Sequence, residues 1–152
     1  MNITPIEMIY DFNDKAGLLT KGYSDEKECA FPIEEALEGL ELTYLARVLG
    51  EHDVTPKNLS RRMTSLTRPL NNLLDVDRLD KHLDIIVFSF GSIFKLGLTP
   101  KEALEALTIV MEANMLKLSV GTDSHGKQMK PVDFVSPEYR LQDILDRRVY
   151  ST

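Results

Sequence analysis

The sequence has few of the residues on which metal and redox chemistry often depends. It contains one cysteine, Cys29, so an intrachain disulfide is excluded and a reducing compartment is favoured. Three histidines are present, and none lies three residues after a glutamate, as the Glu-x-x-His pairs of di-iron bundles require. The sequence also lacks the cluster of Cys and His ligands that a structural zinc site requires. We expect Cys29 to be a small, inert and half-buried side chain.

Long apolar segments and signals for other large classes are also missing. The longest apolar run, residues 85 to 94, contains serines and a glycine and is too short to cross a bilayer. The N-terminus lacks a secretory signal, and neither a glycine-rich phosphate loop nor a nucleophile elbow is present. The net charge of −6 disfavours a nucleic-acid backbone as partner. We therefore expect a cytoplasmic protein that binds neither membrane nor nucleic acid.

What the sequence does contain is a series of helix signals. Capping boxes over residues 4–7 and 99–102 each carry proline at the first helical position. The signals predict a short helix ending at Gly17, a loop over residues 21–29, and further helices over about 32–49, 76–96 and 100–118. A short helix or a long connection is expected within residues 51–75, and a polar terminal helix is expected to begin near Pro137 after a loop over residues 121–136.

The fold is predicted to be all-α, because no alternating apolar and polar pattern extends beyond three or four residues. The expected architecture is a single domain over residues 1–152, built as an antiparallel bundle of four main helices. The segment from residue 85 to 88 is apolar on every side, which predicts a helix buried at the centre of the bundle. The core stripe of the following helix is predicted to be Leu104, Leu107, Val110 and Met111.

Two acidic clusters stand at the heads of apolar helical stripes. They consist of Glu34, Glu35 and Glu38, and of Asp77, Asp80 and Asp84. On one continuous helix, Glu35 and Glu38 would share a face with the leucines that follow up to residue 49. Converging carboxylates would repel each other by roughly 4 kcal/mol per close pair at an effective dielectric near 20. Oxygen ligands select hard cations, so Mg²⁺ or Mn²⁺ is the simplest counterion; a solvated acidic face is the alternative.

Amide and ammonium groups follow in the second half of the chain. Asn114 and Lys117 are three residues apart and share a helical face, and Lys127 and Lys130 lie in the next loop. Such groups suit a polyphosphate, because lysines neutralise the phosphate oxygens that a metal does not bridge. A basic turn that complements the helix dipole is the alternative.

These elements occur in an order that resembles the all-α nucleoside triphosphate pyrophosphohydrolases, the superfamily of MazG, phosphoribosyl-ATP pyrophosphohydrolase and dimeric dUTPase. The resemblance is carried by Glu34-Glu35-x-x-Glu38, Asp77-x-x-Asp80-x-x-x-Asp84, Asn114-Met115-x-Lys117-Leu118 and Gly126-Lys127-x-x-Lys130-Pro131. The last two elements, with Asp11-Phe12-x-x-Lys15-Ala16-Gly17, look most like the phosphoribosyl-ATP pyrophosphohydrolase-like branch. Asp77 stands where that family usually has glutamate, and the segment between Glu38 and Asp77 is longer than usual.

The resemblance implies Mg²⁺-dependent hydrolysis of a nucleoside triphosphate to the monophosphate and pyrophosphate by a homodimer or homotetramer. The implied metal ligands are Glu35, Glu38, Asp77 and Asp80. The implied catalytic residues are Glu34, Glu35 and Glu38, and the implied nucleotide-binding residues are Asn114, Lys117, Lys127 and Lys130. Two alternatives stay open: hydrolysis of another pyrophosphate bond, and a non-catalytic regulatory or partner-binding helical module that holds a structural metal.

Overall fold

A computed structural model describes residues 3–52, 54–67, 73–122 and 128–147 of the chain. Over these ranges the prediction of an all-α fold is confirmed, since the only β-type pairing there is an isolated bridge between Thr122 and Gln128. The α-helices are α1 (Pro5–Lys15), α2 (Asp25–Glu38), α3 (Thr43–Leu49), α4 (Pro56–Leu66), α5 (Asp75–Lys95), α6 (Pro100–Lys117) and α7 (Glu138–Asp146). A 3-10 turn spans Leu19–Lys21.

Most helix starts agree with the sequence signals. Thr4 and Thr99 both form complete capping boxes, in which the backbone N–H groups donate to Glu7 Oε2 at 2.7 Å and to Glu102 Oε2 at 2.8 Å. Thr55 Oγ1 accepts a hydrogen bond from a backbone N–H in the first turn of α4. These side chains satisfy donors that a helix start would otherwise leave without partners.

The second helix differs from the prediction at its start. Residues 25–29 are helical rather than a loop, and Pro32 lies inside α2 instead of beginning it. The first turn of α2 contains Asp25, Glu26 and Glu28. Carboxylates stabilise the positive end of a helix dipole, which explains the early start.

The same helix also ends earlier than predicted. It stops at Glu38, Gly39 forms its C-cap, and the separate helix α3 begins at Thr43. The prediction that Glu35 and Glu38 share one helical face with the leucines up to residue 49 is therefore wrong. The spacing of apolar residues cannot reveal a break between two helices, because the residues of α2 and of α3 each keep helical spacing on their own.

The chain divides into two compact units, Met1–Lys21 with Leu79–Thr152, and Gly22–Arg78. In the first unit α6 packs against α1 and α7. The centre of its core consists of Leu98, Ile109 and Ile144, and half-buried apolar side chains pack around them. Arg140 and Arg147 further join α7 to α6 through ion pairs with Glu112 at 2.5 Å and Glu105 at 2.6 Å.

In the second unit α2 packs against α4. The buried residues of α4 are Ser60 and Thr64, whose hydroxyls donate to carbonyl oxygens of their own helix at 3.1 and 3.2 Å. The buried residues of α2 are Ala30 and Glu34. Because the serine and threonine hydroxyls are satisfied locally, these small side chains can be buried without an unpaired polar group.

The apolar helix α5 is not the buried centre that the sequence predicts. None of its residues is buried, and Val87 and Phe88 are 64% and 74% exposed. Residues 79–95 of α5 belong to the first unit, and no other described helix of that unit packs along them. Near the end of α5, Ile93 packs against the core. No single described helix is long and apolar enough to span a bilayer; α5 and α6 pass such a test only as a pair bent by 113°.

The predicted core stripe of α6 is partly wrong. Met111 is buried as expected, but Leu104 is 50% exposed, and Leu107 and Val110 are half-buried. The buried residues of α6 are Ala103, Ile109, Met111 and Ala113. Buried residues lie on more than one side of α6, because this helix packs against both α1 and α7.

Replacing Ile144 with valine should lower the free energy of unfolding by about 1 kcal/mol, because it removes one methyl group from a filled core. Ile144 is 1% exposed and touches the centre of the first unit. Ile6→Val, at a position 75% exposed on α1, is the matched control and should change stability by less than half as much. Equal effects in urea denaturation would contradict this account of the core.

Candidate metal and nucleotide site

The three glutamates of α2 lie in two environments. Glu34 is 4% exposed and sits one helical turn after the buried Ala30, on the face of α2 that is buried. Glu35 and Glu38, which are one turn apart, are exposed. Burial of a carboxylate is costly unless it is compensated, whereas an exposed carboxylate stays solvated and does not carry that cost. Glu35 and Glu38 are therefore the more accessible pair.

Asp77 is engaged at the start of α5. Its Oδ2 accepts a hydrogen bond from the backbone N–H of Leu74 at 2.9 Å, which is the position and role of a helix-capping carboxylate. Asp80 and Asp84 are exposed further along the same helix. Asp77 belongs to the unit that contains α2, and Asp80 belongs to the other unit.

The carboxylates of one unit do not by themselves make a metal site. Within each unit, no three of the described His, Cys, Asp or Glu side chains are grouped so that they could hold an ion. Glu34, Glu35, Glu38 and Asp77 all belong to the unit Gly22–Arg78. Their chemistry nevertheless fits a hard cation, since every donor is an oxygen and the donors carry negative charge.

An arginine fixes the first turn of α5 to the start of α2 within one unit. The Arg78 guanidinium donates to Asp25 at 2.9 Å and to Asp75 at 2.8 Å, and it lies 5.4 Å from the centre of the Tyr23 ring. The hydrogen bonds that Arg78 donates to Asp25 and then to Asp75 raise its pKa above the ordinary value. No sequence pattern signals this contact, because 53 residues separate Arg78 from Asp25. It positions the turn that carries Asp77.

The predicted phosphate-binding groups of the first unit come together around one aromatic ring. Lys117 Nζ donates to Asn114 Oδ1 at 2.6 Å, which confirms that these residues share a helical face. The Nζ atoms of Lys117 and Lys130 lie 5.4 and 5.5 Å from the centre of the Phe134 ring. Each ammonium is within the distance at which a cation is attracted to an aromatic ring. Lys127 lies outside the described residues.

Phe134 was missed by sequence reasoning. It follows Lys130 by four residues, but the intervening chain is irregular, so helical spacing carries no information there. The Phe134 cluster, defined as Asn114, Lys117, Lys130 and Phe134, offers two ammonium groups and one amide. Such a set can neutralise and orient an anionic ligand such as a phosphate group.

Replacing Lys117 with methionine should weaken binding of inorganic pyrophosphate about tenfold, because a charge-assisted hydrogen bond contributes about 1.5–3 kcal/mol. Isothermal titration calorimetry with Mg²⁺ present measures the change. Lys101→Met, in the exposed first turn of the same helix, is the control and should bind like the wild type. If both variants bind alike, the Phe134 cluster does not bind phosphate.

A pocket of about 470 Å³ lies within the unit Gly22–Arg78, where the end of α2 meets α3 and the start of α4. Its walls are formed by Glu38, Leu40, Leu42, Thr43, Ala46, His52, Val54, Thr55 and Pro56. Glu38 is the last residue of α2 and therefore belongs both to the acidic cluster and to the pocket wall. The rest of the lining comes from the segment between Glu38 and Asp77. Sequence reasoning assigned no role to His52 or its neighbours.

Comparison with known proteins gives no further identification. No family model, curated protein or solved structure matches this chain.

Proposed function

We propose that the protein is a Mg²⁺-dependent nucleoside triphosphate pyrophosphohydrolase that releases pyrophosphate and leaves the nucleoside monophosphate. The observation that supports it best is the Phe134 cluster, in which Lys117 and Lys130 approach the same ring beside Asn114. The sequence pattern predicts nucleotide binding for all three residues. Asn114 and Lys117 lie in α6, whereas Lys130 lies in the loop between α6 and α7. An enzyme that cleaves a triphosphate needs such cations as well as acidic metal ligands.

The acidic residues supply the other half of the proposed chemistry. We assign Glu35, Glu38 and Asp80 as metal ligands and Asp77 as a further one. When bound, Mg²⁺, or Mn²⁺ in its place, polarises phosphate oxygens and lowers the pKa of a bound water. Glu35 and Glu38 are exposed and one turn apart, so both reach the same side of α2.

Hydrolysis requires a base for the attacking water and cations that offset the negative charge of the leaving pyrophosphate. Glu34 is assigned as the carboxylate that orients the attacking water and takes its proton. A bond forms between the water oxygen and the α-phosphorus while the bond to pyrophosphate breaks. Lys117 and Lys130 hold the nucleotide and offset the charge that develops on its phosphates.

We further propose that two copies of the chain associate through α5, within a MazG-like helical bundle. Its seam, defined as Leu79, Leu83, Ile86, Val87, Phe90 and Phe94, follows the three- and four-residue spacing of one helix face. Five of these side chains are 43–64% exposed and together form a continuous apolar face along α5. Contiguous exposed apolar patches of this kind mark interaction surfaces.

The ends of α5 favour an antiparallel pairing of the two copies. The first turn carries Asp75 and Asp77, and the last turn carries Lys95. In an antiparallel pair related by a two-fold axis, the acidic end of each helix meets the basic end of the other. A homodimer, or a tetramer made of two such pairs, would thus bury the seam that a single chain leaves exposed.

A second candidate is a non-catalytic regulatory or partner-binding module with a structural metal. The hydrogen bond from Leu74 to Asp77 favours it, because that carboxylate already has a capping role at 2.9 Å. The two candidates differ in whether any nucleotide is turned over.

The deciding experiment is an assay of the purified full chain with Mg²⁺ or Mn²⁺ against the eight common ribo- and deoxyribonucleoside triphosphates, their diphosphates and phosphoribosyl-ATP. We expect metal-dependent release of pyrophosphate from at least one triphosphate, with the monophosphate identified by mass. Cleavage of a different pyrophosphate bond would identify another reaction of the same class. No turnover above background on the whole panel would overturn the enzymatic proposal and favour the module.

A further inference from the structure

We infer that the pocket between α2, α3 and α4 binds the nucleoside end of the nucleotide, that is, its base and sugar. The inference rests on the proposed function, because it takes Glu38 as a metal ligand. It assigns the part of the substrate that the proposed metal ligands do not bind. The residues that would set base or sugar preference are then those of the long segment that follows α2.

The position of the pocket links it to the proposed metal ligands, because Glu38 belongs both to its wall and to those ligands. A triphosphate whose phosphates are held near Glu38 has its nucleoside a few bonds away. That nucleoside would extend directly into the pocket, because Glu38 lies at the pocket wall.

The charge of the pocket lining disfavours a polyphosphate as its occupant. The described lining contains no lysine or arginine, and its only basic group is the imidazole of His52. Pyrophosphate carries several negative charges and would be poorly compensated there beside the Glu38 carboxylate. A nucleoside is uncharged, so of the two ends of the substrate it is the one that this lining accepts.

The size and polarity of the pocket suit a nucleoside. A volume of about 470 Å³ falls within the range of about 300–1,000 Å³ found for small-molecule sites, and it far exceeds the space of a metal ion. Five lining residues are apolar: Leu40, Leu42, Ala46, Val54 and Pro56. Apolar walls with a few polar groups suit the faces and edges of a heterocyclic base attached to a sugar.

Two polar side chains of the lining can form hydrogen bonds with a nucleoside. The hydroxyl of Thr55 is already engaged, since it accepts the N–H of Asn58 at 3.2 Å. Within the described part of the chain, the side chains of His52 and Thr43 make no hydrogen bond or ion pair. Imidazole and hydroxyl both donate and accept, so they can pair with the edge of a base or with a sugar hydroxyl.

The test fills the pocket and leaves the phosphate-binding residues intact. Ala46→Trp places a large ring in the pocket, and Val48→Trp places the same ring at a position of α3 that is 62% exposed and outside the lining. Binding of the four common nucleoside monophosphates, and separately of inorganic pyrophosphate, is measured by calorimetry with Mg²⁺ present. Circular dichroism and melting temperature establish that both variants are folded.

We expect Ala46→Trp to weaken monophosphate binding at least tenfold and to leave pyrophosphate binding unchanged, while Val48→Trp binds both like the wild type. His52→Ala, a smaller change in a loop, should weaken monophosphate binding about threefold and serves if Ala46→Trp does not fold. With a hydrolysed triphosphate, both pocket variants should raise KM more than they lower kcat.

Equal monophosphate affinity in the wild type, Ala46→Trp and His52→Ala would overturn the inference, as would the absence of monophosphate binding by the wild type at millimolar concentration. These results are distinguishable from failure of the proposed function. If monophosphates bind and Ala46→Trp blocks them, yet no nucleotide is cleaved, the pocket is supported and the enzymatic proposal is wrong. If triphosphates are cleaved with the same KM in both tryptophan variants, the enzymatic proposal stands and the pocket assignment is wrong.

Discussion

Replacing Glu38 with glutamine should lower metal-dependent release of pyrophosphate by at least about 100-fold, which corresponds to roughly 2.7 kcal/mol of transition-state stabilisation. The amide keeps the shape of the side chain but lacks the negative charge that binds a hard cation. The loss should exceed the 10–100-fold that changes in outer-shell partners of metal ligands typically cause. Steady-state release of pyrophosphate measures it.

The matched control is Glu26→Gln, an exposed glutamate in the first turn of the same helix. Its activity should equal that of the wild type. A second readout does not depend on turnover: Mg²⁺ should raise the melting temperature of the wild type and of Glu26→Gln, but much less that of Glu38→Gln. Retention of more than a third of the activity by Glu38→Gln would mean that this carboxylate does not bind the catalytic ion.

Replacing Leu83 with glutamate should dissociate the proposed dimer and weaken self-association at least about 100-fold. Leu83 lies in the middle of the α5 seam and is 49% exposed in the single chain. A glutamate at the centre of an apolar interface would be desolvated without a partner, which costs several kcal/mol at each of two symmetric positions. Sedimentation velocity over a range of protein concentrations measures the change.

Leu104→Glu is the control for this experiment, because it makes the same substitution at a residue of α6 that is 50% exposed. It should leave the association state as it is in the wild type. A wild type that stays monomeric at high micromolar concentration would remove the reason for assigning the seam to a second copy. So would equal dissociation by both variants.

Local sequence signals predicted the helix starts that depend on neighbouring residues. The capping boxes at Thr4 and Thr99 act within one turn, so the sequence contains all of the information they need. The same holds for Asn114 and Lys117, whose hydrogen bond follows from their spacing on α6. These are short-range effects, and they were confirmed.

Predictions that depend on which elements pack together fared less well. The prediction of a buried α5 failed because burial depends on neighbours, which composition does not name. Pro32 was read as a helix start since proline favours the first turn, but the acidic residues before it extend the helix backwards. The contact of Phe134 with two lysines and the pocket wall at His52 connect elements that no periodic pattern relates.

The contacts of Arg78 have a consequence for how this chain tolerates change. Tyr23 and Asp25 lie at the beginning of the unit Gly22–Arg78, and Arg78 is its final residue, so its two ends are held side by side. A segment that leaves and returns at one place can be lengthened, trimmed or exchanged while its points of attachment stay fixed. Exchanging the stretch between Gly39 and Thr55, with α2 and the first turn of α5 kept, should therefore leave the contacts of Arg78 with Asp25 and Tyr23 unchanged.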